Sequence, residues 1–265
     1  MTVAIVAGEG LLPEEIARRM AMRGSKPVVY AIRENCESLA PHALDVVPVL
    51  GAELASTLKD MSLRGIKKVM LAGFVPKTLM YRSAILDTMS RNFLASLEAR
   101  DDHSLLGGIV ALFERFGFDV IGYRDILEDL LAGNGVVAGR APTEDEDVDV
   151  RYGVEIARVV VPLSFGQSVI VHKKSVVAVE AMEGTDITIL RAGSLCKGGV
   201  LVKMIKQGQD SRYDIPIVGP STLNLMSRAG LTCLAVHAGW TLVLSPEDFS
   251  SAAALNGISV VGVDY

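Results

Sequence analysis

The sequence lacks several features that would place it in a familiar class of protein. It has no run of about 18 or more apolar, uncharged residues, which argues against a membrane-spanning helix. The segment from Met1 to Gly8 has the pattern of a buried strand, without the basic start and cleavage site of a signal peptide, so we expect a cytoplasmic protein. No G-x-S-x-G motif supports Ser-His-Asp catalysis.

Cysteine and basic residues are also sparse. The three cysteines, Cys36, Cys196 and Cys233, lie far apart and form no C-x-x-C pair. The sequence therefore predicts neither a zinc site nor a disulfide framework, and we expect buried free thiols. The 26 Lys and Arg residues are outnumbered by 31 Asp and Glu residues, which gives a formal net charge of −5 and argues against binding of nucleic acid.

Apolar residues, in contrast, are plentiful. Half of the 265 residues are hydrophobic and 22% are charged, which suits one large domain or two of ordinary size. In the first half, strand patterns at 3–7, 27–32, 46–50 and 69–72 alternate with helical patterns at 14–22 and 52–63. A helical stretch at 83–117, broken near 100–104, precedes a strand at 118–123. This alternation predicts a mostly parallel, Rossmann-like sheet covered by helices.

A cluster of Gly, Ala and Asn at 130–142 predicts the domain boundary, with domains at 1–135 and 136–265. The acidic run at 144–149 has two interpretations, a metal site or a helix start. The spacing of Thr143 and Glu146 favours a capping box and a helix to about Val160. A hairpin at 168–172 and 176–180, a short helix at 185–191 and further strands and helices predict a second α/β domain.

The loop from Gly8 to Pro13 links the first strand to the first helix. Glycines at such a turn let the backbone approach a ligand, and the helix start offers N–H groups to an anion. A dinucleotide-binding fingerprint requires a third glycine where Pro13 stands, although Glu34 after the second strand is available for a ribose. A structural turn, a phosphate contact, a sugar contact and a nucleotide contact therefore all stay open.

The segment 165–219 carries the densest set of charged residues. Glu180, Glu183 and Asp186 are spaced by three, and Lys203, Lys206 and Arg212 follow. Cations at strand ends can neutralise phosphate oxygens. Carboxylates can hold Mg²⁺ or activate water. Each charge taken singly is more typical of a solvated loop, but the clustering predicts phosphoryl chemistry.

These segments resemble the UDP-2,3-diacylglucosamine pyrophosphatases of the LpxI type. The specific matches are A-V-E-A-M-E-G-T-D at 178–186 and D-I-P-I-V-G at 214–219. Further matches are I-V-A-G-E-G-L-L-P at 5–13, L-A-G at 71–73, D-D at 101–102, G-Q at 166–167 and G-V-L-V-K at 199–203. The sequence departs from the family pattern at Glu9, where a third glycine is expected.

The resemblance implies hydrolysis of UDP-2,3-diacylglucosamine to UMP and 2,3-diacylglucosamine 1-phosphate (lipid X) in lipid A synthesis. It implies a divalent cation, usually Mg²⁺, and two α/β domains with the cleft between them. The lipid-linked UDP-sugar would be drawn from the inner leaflet, so transient contact with the inner membrane is expected. A homodimer is left open.

The resemblance also assigns roles to residues. Asp214 is the first choice for the essential carboxylate, with Glu183 and Asp186 as candidates for the same catalytic metal–water cluster. Lys203 would pair with a phosphate, the Thr185 hydroxyl would donate to a phosphate oxygen, and Gln167 would bind the sugar. The remaining candidates for substrate contact are Gly8, Glu9, Gly10, Gly73, Asp101, Asp102, Glu180, Lys206 and Arg212.

Two other functions compete with this reading. One is a non-catalytic protein that holds a lipid or sugar nucleotide, against which the clustered carboxylates and lysines argue. The other is an NAD(P)-dependent oxidoreductase, which rests on the glycine loop and Glu34 and is weakened by Pro13.

Overall fold

The computed structural model describes residues 2–32, 36–49, 53–75, 87–96, 102–206, 208, 210, 212–213 and 215–264, without the side chains of 102–104. The chain divides into two compact units. The N-terminal unit contains Met1–Leu127 and Asp210–Asp214, and the C-terminal unit contains Glu128–Gln209 and Ile215–Tyr265.

The N-terminal unit is built on a parallel sheet. Its described elements are β1 (Val3–Ala7), α1 (Leu12–Met22), β2 (Val28–Ala31), β3 (Asp45–Pro48), α2 (Leu54–Leu63), β4 (Lys68–Ala72), α3 (Thr88–Ser96), α4 (Asp102–Arg115) and β5 (Asp119–Val120). The strand order is β3-β2-β1-β4-β5, and all the pairs are parallel. The order reverses between β1 and β4, which is the point where doubly wound sheets place their ligands.

Apolar side chains explain why this sheet is covered by helices. One core cluster combines residues of β1, β2 and β4 with Leu58 and Met61 of α2 and with Val110 and Phe113 of α4. The strands are almost continuously buried, as expected for a parallel sheet with helices packed on it. Tyr213 belongs to the same cluster, so a short segment from late in the chain packs with the N-terminal unit.

The C-terminal unit has a mixed sheet. Its described elements are β6 (Gly135–Gly139), α5 (Glu144–Val160), β7 (Ser168–His172), β8 (Ser175–Val179), α6 (Thr185–Leu195), β9 (Val200–Lys203), β10 (Ile217–Val218), α7 (Pro220–Ala229), β11 (Cys233–His237), β12 (Leu242–Val243), α8 (Pro246–Leu255) and β13 (Ser259–Val263). The six-stranded order is β6-β13-β11-β9-β7-β8, and β10 pairs with β12 separately.

Successive side chains of a strand point to opposite faces of its sheet, and both faces of the C-terminal sheet are buried. Val169 and Val171 pack with residues of α5 on one face. Ile170, between them, packs with residues of α6, α7 and α8 on the other face. The predicted fold class, a parallel sheet followed by a second α/β domain, is confirmed.

The capping box was confirmed, the prediction of buried free thiols holds only for Cys233, and one strand was not predicted. The Thr143 hydroxyl accepts from the Glu146 N–H, the Glu146 carboxylate accepts from the Thr143 N–H, and α5 runs to Val160, as the capping box predicts. All three cysteines are free, although only Cys233 is fully buried. The cluster at 130–142 predicts only a domain boundary, whereas its residues 135–139 form β6, an antiparallel edge strand that pairs with β13.

Candidate functional site

A polar network in the C-terminal unit brings together four of the predicted site residues. Lys203 is the last residue of β9, and Thr185 is the first residue of α6. The Lys203 ammonium donates to Thr185 Oγ1 at 3.2 Å, and Thr185 Oγ1 donates to Glu180 Oε1 at 2.9 Å. The Gln167 N–H donates to Glu180 Oε2 at 3.2 Å. Predicted residues separated by up to 36 positions therefore share one hydrogen-bonded chain.

The hairpin and the neighbouring strand position this network. Ser168, at the start of β7, is paired in register with Lys203. The Glu180 N–H donates to the Ser168 carbonyl at 2.9 Å, which carries the β7–β8 pairing past the end of β8. Ser168 is buried, and its hydroxyl lies 3.4 Å from Thr185 Oγ1. Sequence reasoning missed Ser168, because its only signal is its place at the start of a strand.

The start of α6 lies directly beside the Lys203 ammonium. Gly184 precedes the helix with φ of 82°, a conformation that favours glycine, and no side chain caps the N-terminus. The first intrahelical bond runs from the Thr188 N–H to the Gly184 carbonyl. The first turn of a helix carries unpaired N–H groups and a partial positive charge. A cation and a helix start thus face the same place, which suits an anionic ligand.

Glu183, a predicted catalytic and metal residue, is held by an arginine. Arg191 donates to Glu183 Oε1 at 2.7 Å and to the Val179 carbonyl at 2.8 Å. The pKa of Glu183 is lowered by its own backbone N–H and by the Arg191 guanidinium. This ion pair ties the loop after β8 to the second turn of α6. Sequence reasoning did not single out Arg191.

The described residues do not by themselves form a metal site. They contain no group of three His, Cys, Asp or Glu side chains close enough to share an ion. Glu183 is engaged by Arg191, and Asp186 is exposed in the first turn of α6. Asp214, the predicted essential carboxylate, lies outside the described residues.

Two predicted phosphate-binding cations have protein partners. The Lys206 ammonium donates to the Ser164 hydroxyl at 3.1 Å in the C-terminal unit. Arg212 donates to both oxygens of Asp210, to Glu114 at 2.7 Å and to the Val120 carbonyl, all in the N-terminal unit. The hydrogen bonds that Arg212 donates to Asp210 and Glu114 raise the pKa of Arg212. Arg212 therefore anchors its segment to the N-terminal unit.

The glycine loop lies at the carboxyl ends of β1 and β4. Glu9 and Phe74 exchange two backbone hydrogen bonds of 2.7 and 2.9 Å, which join the loops after these strands. A Cβ on Gly8 would lie 2.5 Å from the Phe74 carbonyl oxygen, and one on Gly73 would lie 2.6 Å from the Glu9 carbonyl oxygen. The two glycines are thus required by contact between the loops. Gly10, with φ of 95°, and the exposed Glu9 complete the turn into α1.

Three residues remain from the sequence analysis: Asp101 and Asp102 as substrate contacts, and Glu34 as the ribose contact of the dinucleotide alternative. Asp101 and Glu34 lie outside the described residues. Asp102 begins α4, but its side chain is not described.

Fold and site together define a two-domain α/β protein with cationic and hydroxyl side chains gathered at strand and helix ends. The family model described as the LpxI N-terminal domain matches residues 2–130, and the LpxI C-terminal domain matches residues 133–261. The chain therefore belongs to the LpxI family, as the resemblance predicted.

A curated relative covers nearly the whole chain. It is the protein of Caulobacter vibrioides named UDP-2,3-diacylglucosamine pyrophosphatase LpxI, which is 30% identical over 277 residues. The match covers 99% of this chain and 97% of the relative. The predicted enzyme class, a hydrolase acting on a phosphoric anhydride, agrees with the name of this relative.

Proposed function

We propose that this chain hydrolyses the pyrophosphate bond of UDP-2,3-diacylglucosamine to UMP and 2,3-diacylglucosamine 1-phosphate (lipid X) in lipid A biosynthesis. Membership of the LpxI family and the name of the Caulobacter relative support the substrate. The observation that carries the proposal is the Lys203 ammonium beside the start of α6, 3.2 Å from Thr185 Oγ1. A pyrophosphate requires such positive groups around its oxygens.

In this reaction, water adds to one phosphorus while the bridging P–O bond breaks. Both products leave as phosphate monoesters. Lys203 would neutralise charge on the phosphate oxygens, and this effect is strongest where negative charge grows in the transition state. Asp214, carried over from the resemblance, is our candidate for orienting the attacking water or accepting its proton.

We also propose a requirement for a divalent cation, with Mg²⁺ as the first candidate. Among the described residues, no helix is long and apolar enough to cross a bilayer. We also propose a cytoplasmic location and, because the substrate carries two acyl chains, transient contact with the inner membrane surface. Sedimentation with vesicles tests this contact, and light scattering tests for a homodimer.

The decisive experiment incubates the purified protein with UDP-2,3-diacylglucosamine, with Mg²⁺ or with EDTA, and measures UMP and lipid X by mass spectrometry. We expect both products in equal amounts with Mg²⁺ and a loss of both with EDTA. Asp214→Asn should lose turnover by about a thousandfold, because the orienting or proton-accepting carboxylate is gone. Asp248→Asn, an exposed carboxylate in α8, is the matched control.

Each result has a definite meaning. No turnover with any divalent cation would reject the proposed reaction. Tight binding of the intact nucleotide lipid without turnover would favour a binding protein. Near-normal turnover of Asp214→Asn would reject the role of Asp214, and turnover that is unchanged by EDTA would reject the cation.

A further inference from the structure

The hydroxyl of Thr185 has a single proton, and the structure shows where it is directed. A hydroxyl donates once and accepts at its lone pairs, whereas a lysine ammonium can only donate. Since Lys203 Nζ lies 3.2 Å from Thr185 Oγ1, Thr185 must accept from Lys203. Its own proton is then directed to Glu180 Oε1 at 2.9 Å. The chain of donors therefore runs from Lys203 through Thr185 to Glu180.

Glu180 is itself fixed at both ends. Its Oε2 accepts the Gln167 N–H at 3.2 Å, and its own N–H donates to the Ser168 carbonyl at 2.9 Å. Its backbone lies against Gly166, where a Cβ would be 2.3 Å from the Glu180 carbonyl oxygen. The carboxylate is thus a rigid end of the chain, whereas a lysine side chain alone has several rotatable bonds.

The Lys203 ammonium has donors left for a ligand. Within the part of the chain that the structure describes, its one side-chain hydrogen bond is to Thr185. An ammonium has three N–H groups, so two stay available beside the start of α6. The Thr185 proton, in contrast, is used by Glu180 and does not reach a phosphate oxygen in this arrangement.

We propose that Glu180 is a positioning residue, which acts through the Thr185 hydroxyl to hold the Lys203 ammonium for a phosphate oxygen of the diphosphate. Thr185 then contacts both Lys203 and Glu180, and Lys203 alone of the three contacts the ligand. The inference rests on the proposed function for the identity of the diphosphate. The arrangement of Lys203, Thr185 and Glu180 would bind any ligand with a diphosphate group in the same way.

The test titrates inorganic pyrophosphate into the folded protein by calorimetry and compares variants. Lys203→Met should weaken binding by about tenfold or more, since a hydrogen bond from a charged group is lost. Thr185→Val removes the hydroxyl without changing the shape and should weaken binding by about three- to tenfold. Thr185→Ser should restore most of this loss. Glu180→Gln should also weaken binding. The NH₂ group of the new glutamine must face either the Thr185 hydroxyl or the Gln167 N–H, where a carboxylate oxygen of Glu180 accepts a hydrogen bond.

A coupling measurement separates positioning from a general structural role. In the Lys203→Met background, Thr185→Val should have no further effect on pyrophosphate affinity. The denaturant midpoint of unfolding should be the same for Lys203→Met with and without Thr185→Val. Thr188→Val is the matched control, because it deletes a hydroxyl one turn further along α6 whose partners are the Gly184 carbonyl at 2.9 Å and Glu183 Oε1 at 3.3 Å. It should bind pyrophosphate as the wild type does.

The outcomes distinguish this inference from the proposed function. Additive losses, or a Thr185→Ser variant as weak as Thr185→Val, would overturn the positioning role even if the enzyme turns over its substrate. Coupled losses without turnover of UDP-2,3-diacylglucosamine would support the positioning role and reject the proposed function. A wild type that does not bind pyrophosphate would overturn the anion contact of Lys203.

Discussion

At the scale of single residues, Gly166 determines whether Glu180 can take its place. A Cβ at this position would lie 2.3 Å from the Glu180 carbonyl oxygen and 2.9 Å from the Glu180 Cβ. The positions of both atoms are fixed by the Glu180 backbone, which strand pairing holds, so neither can move aside without disturbing the hairpin. The Gly166–Gln167 match to the family thus has a steric reason.

Gly166→Ala should therefore displace Glu180 and loosen Lys203. We expect turnover and pyrophosphate affinity to fall by about tenfold, and the protein to be destabilised by roughly 1–3 kcal/mol through overpacking. Steady-state kinetics and urea unfolding measure the two effects. Gly133→Ala is the control, since a Cβ there meets nothing within 4 Å. If both variants behave like the wild type, Gly166 does not position Glu180.

Several site residues were predictable from sequence, but the directions of their hydrogen bonds were not. The family pattern selects Gln167, Glu180, Thr185 and Lys203, which meet in one network. It also assigns the Thr185 hydroxyl to a phosphate, whereas that hydroxyl donates to Glu180. Sequence spacing carries no information about which neighbour receives a proton, because that depends on all the donors within reach.

At the scale of elements, two helix glycines have opposite surroundings. A Cβ on Gly193 in α6 would lie 2.6 Å from both the Cβ and the carbonyl oxygen of Ala229 in α7. A Cβ on Gly107 in α4 would meet its nearest described atom, the Tyr213 hydroxyl, at 3.7 Å, which is an ordinary contact. The close approach of α6 and α7 therefore depends on Gly193.

The two alanine substitutions should change stability in opposite directions. Alanine gains about 0.5–1 kcal/mol over glycine inside a helix. At Gly107 this gain has no steric opposition, so we expect stabilisation of about that size. At Gly193 the overpacking of about 1–3 kcal/mol exceeds the gain, so we expect net destabilisation. Urea unfolding of both variants tests this, and a stabilised Gly193→Ala would show that the helices separate without cost.

The strand β6 shows why one element escaped prediction. Gly135 and Gly139 are its first and last residues, and glycine is a poor residue for a strand. A Cβ on Gly139 would lie 2.0 Å from the Ile258 carbonyl oxygen, so glycine is required by close contact with the backbone that leads into β13. Pairing with β13, about 120 residues later, provides the stability that the local sequence lacks.

At the scale of the whole molecule, the chain does not simply divide into a first and a second half. The segment Asp210–Asp214 belongs with the N-terminal unit. Buried Tyr213 joins the core of that unit, and Arg212 pairs with Glu114 of α4. Hydrophobic periodicity indicates where helices and strands lie along the chain. It does not indicate which of them a short segment distant in sequence packs against. The prediction of two domains, each formed by one continuous stretch of sequence, therefore does not include the packing of this segment with the N-terminal unit.

The C-terminal unit has its own acid-sensitive anchor. Arg140 donates to both oxygens of Glu146 and to the Gly257 carbonyl, and thereby joins the start of α5 to the end of α8. Burial by itself would raise the pKa of Glu146, but hydrogen bonds from Arg140, Thr232 and Thr143 together lower it to about 2. A carboxyl with a lowered folded-state pKa stabilises the fold above its unfolded pKa.

The unfolding free energy should therefore lose the Glu146 contribution as the pH falls from about 4.5 towards 2. We expect this contribution to be on the order of 1–2 kcal/mol, because Arg140 is partly exposed to solvent. Trp240 is the single tryptophan and lies in the C-terminal unit, so its fluorescence during urea unfolding reports on that unit.

Glu146→Gln keeps the shape of the side chain and removes its charge. At pH 6 it should be less stable than the wild type, and this difference should shrink as the pH falls through the same window. The comparison cancels the titration of the other carboxylates, Glu15 and Asp87 among them, whose pKa values are also lowered. A difference that stays constant down to pH 3 would show that the charge of Glu146 does not contribute to the stability of the fold.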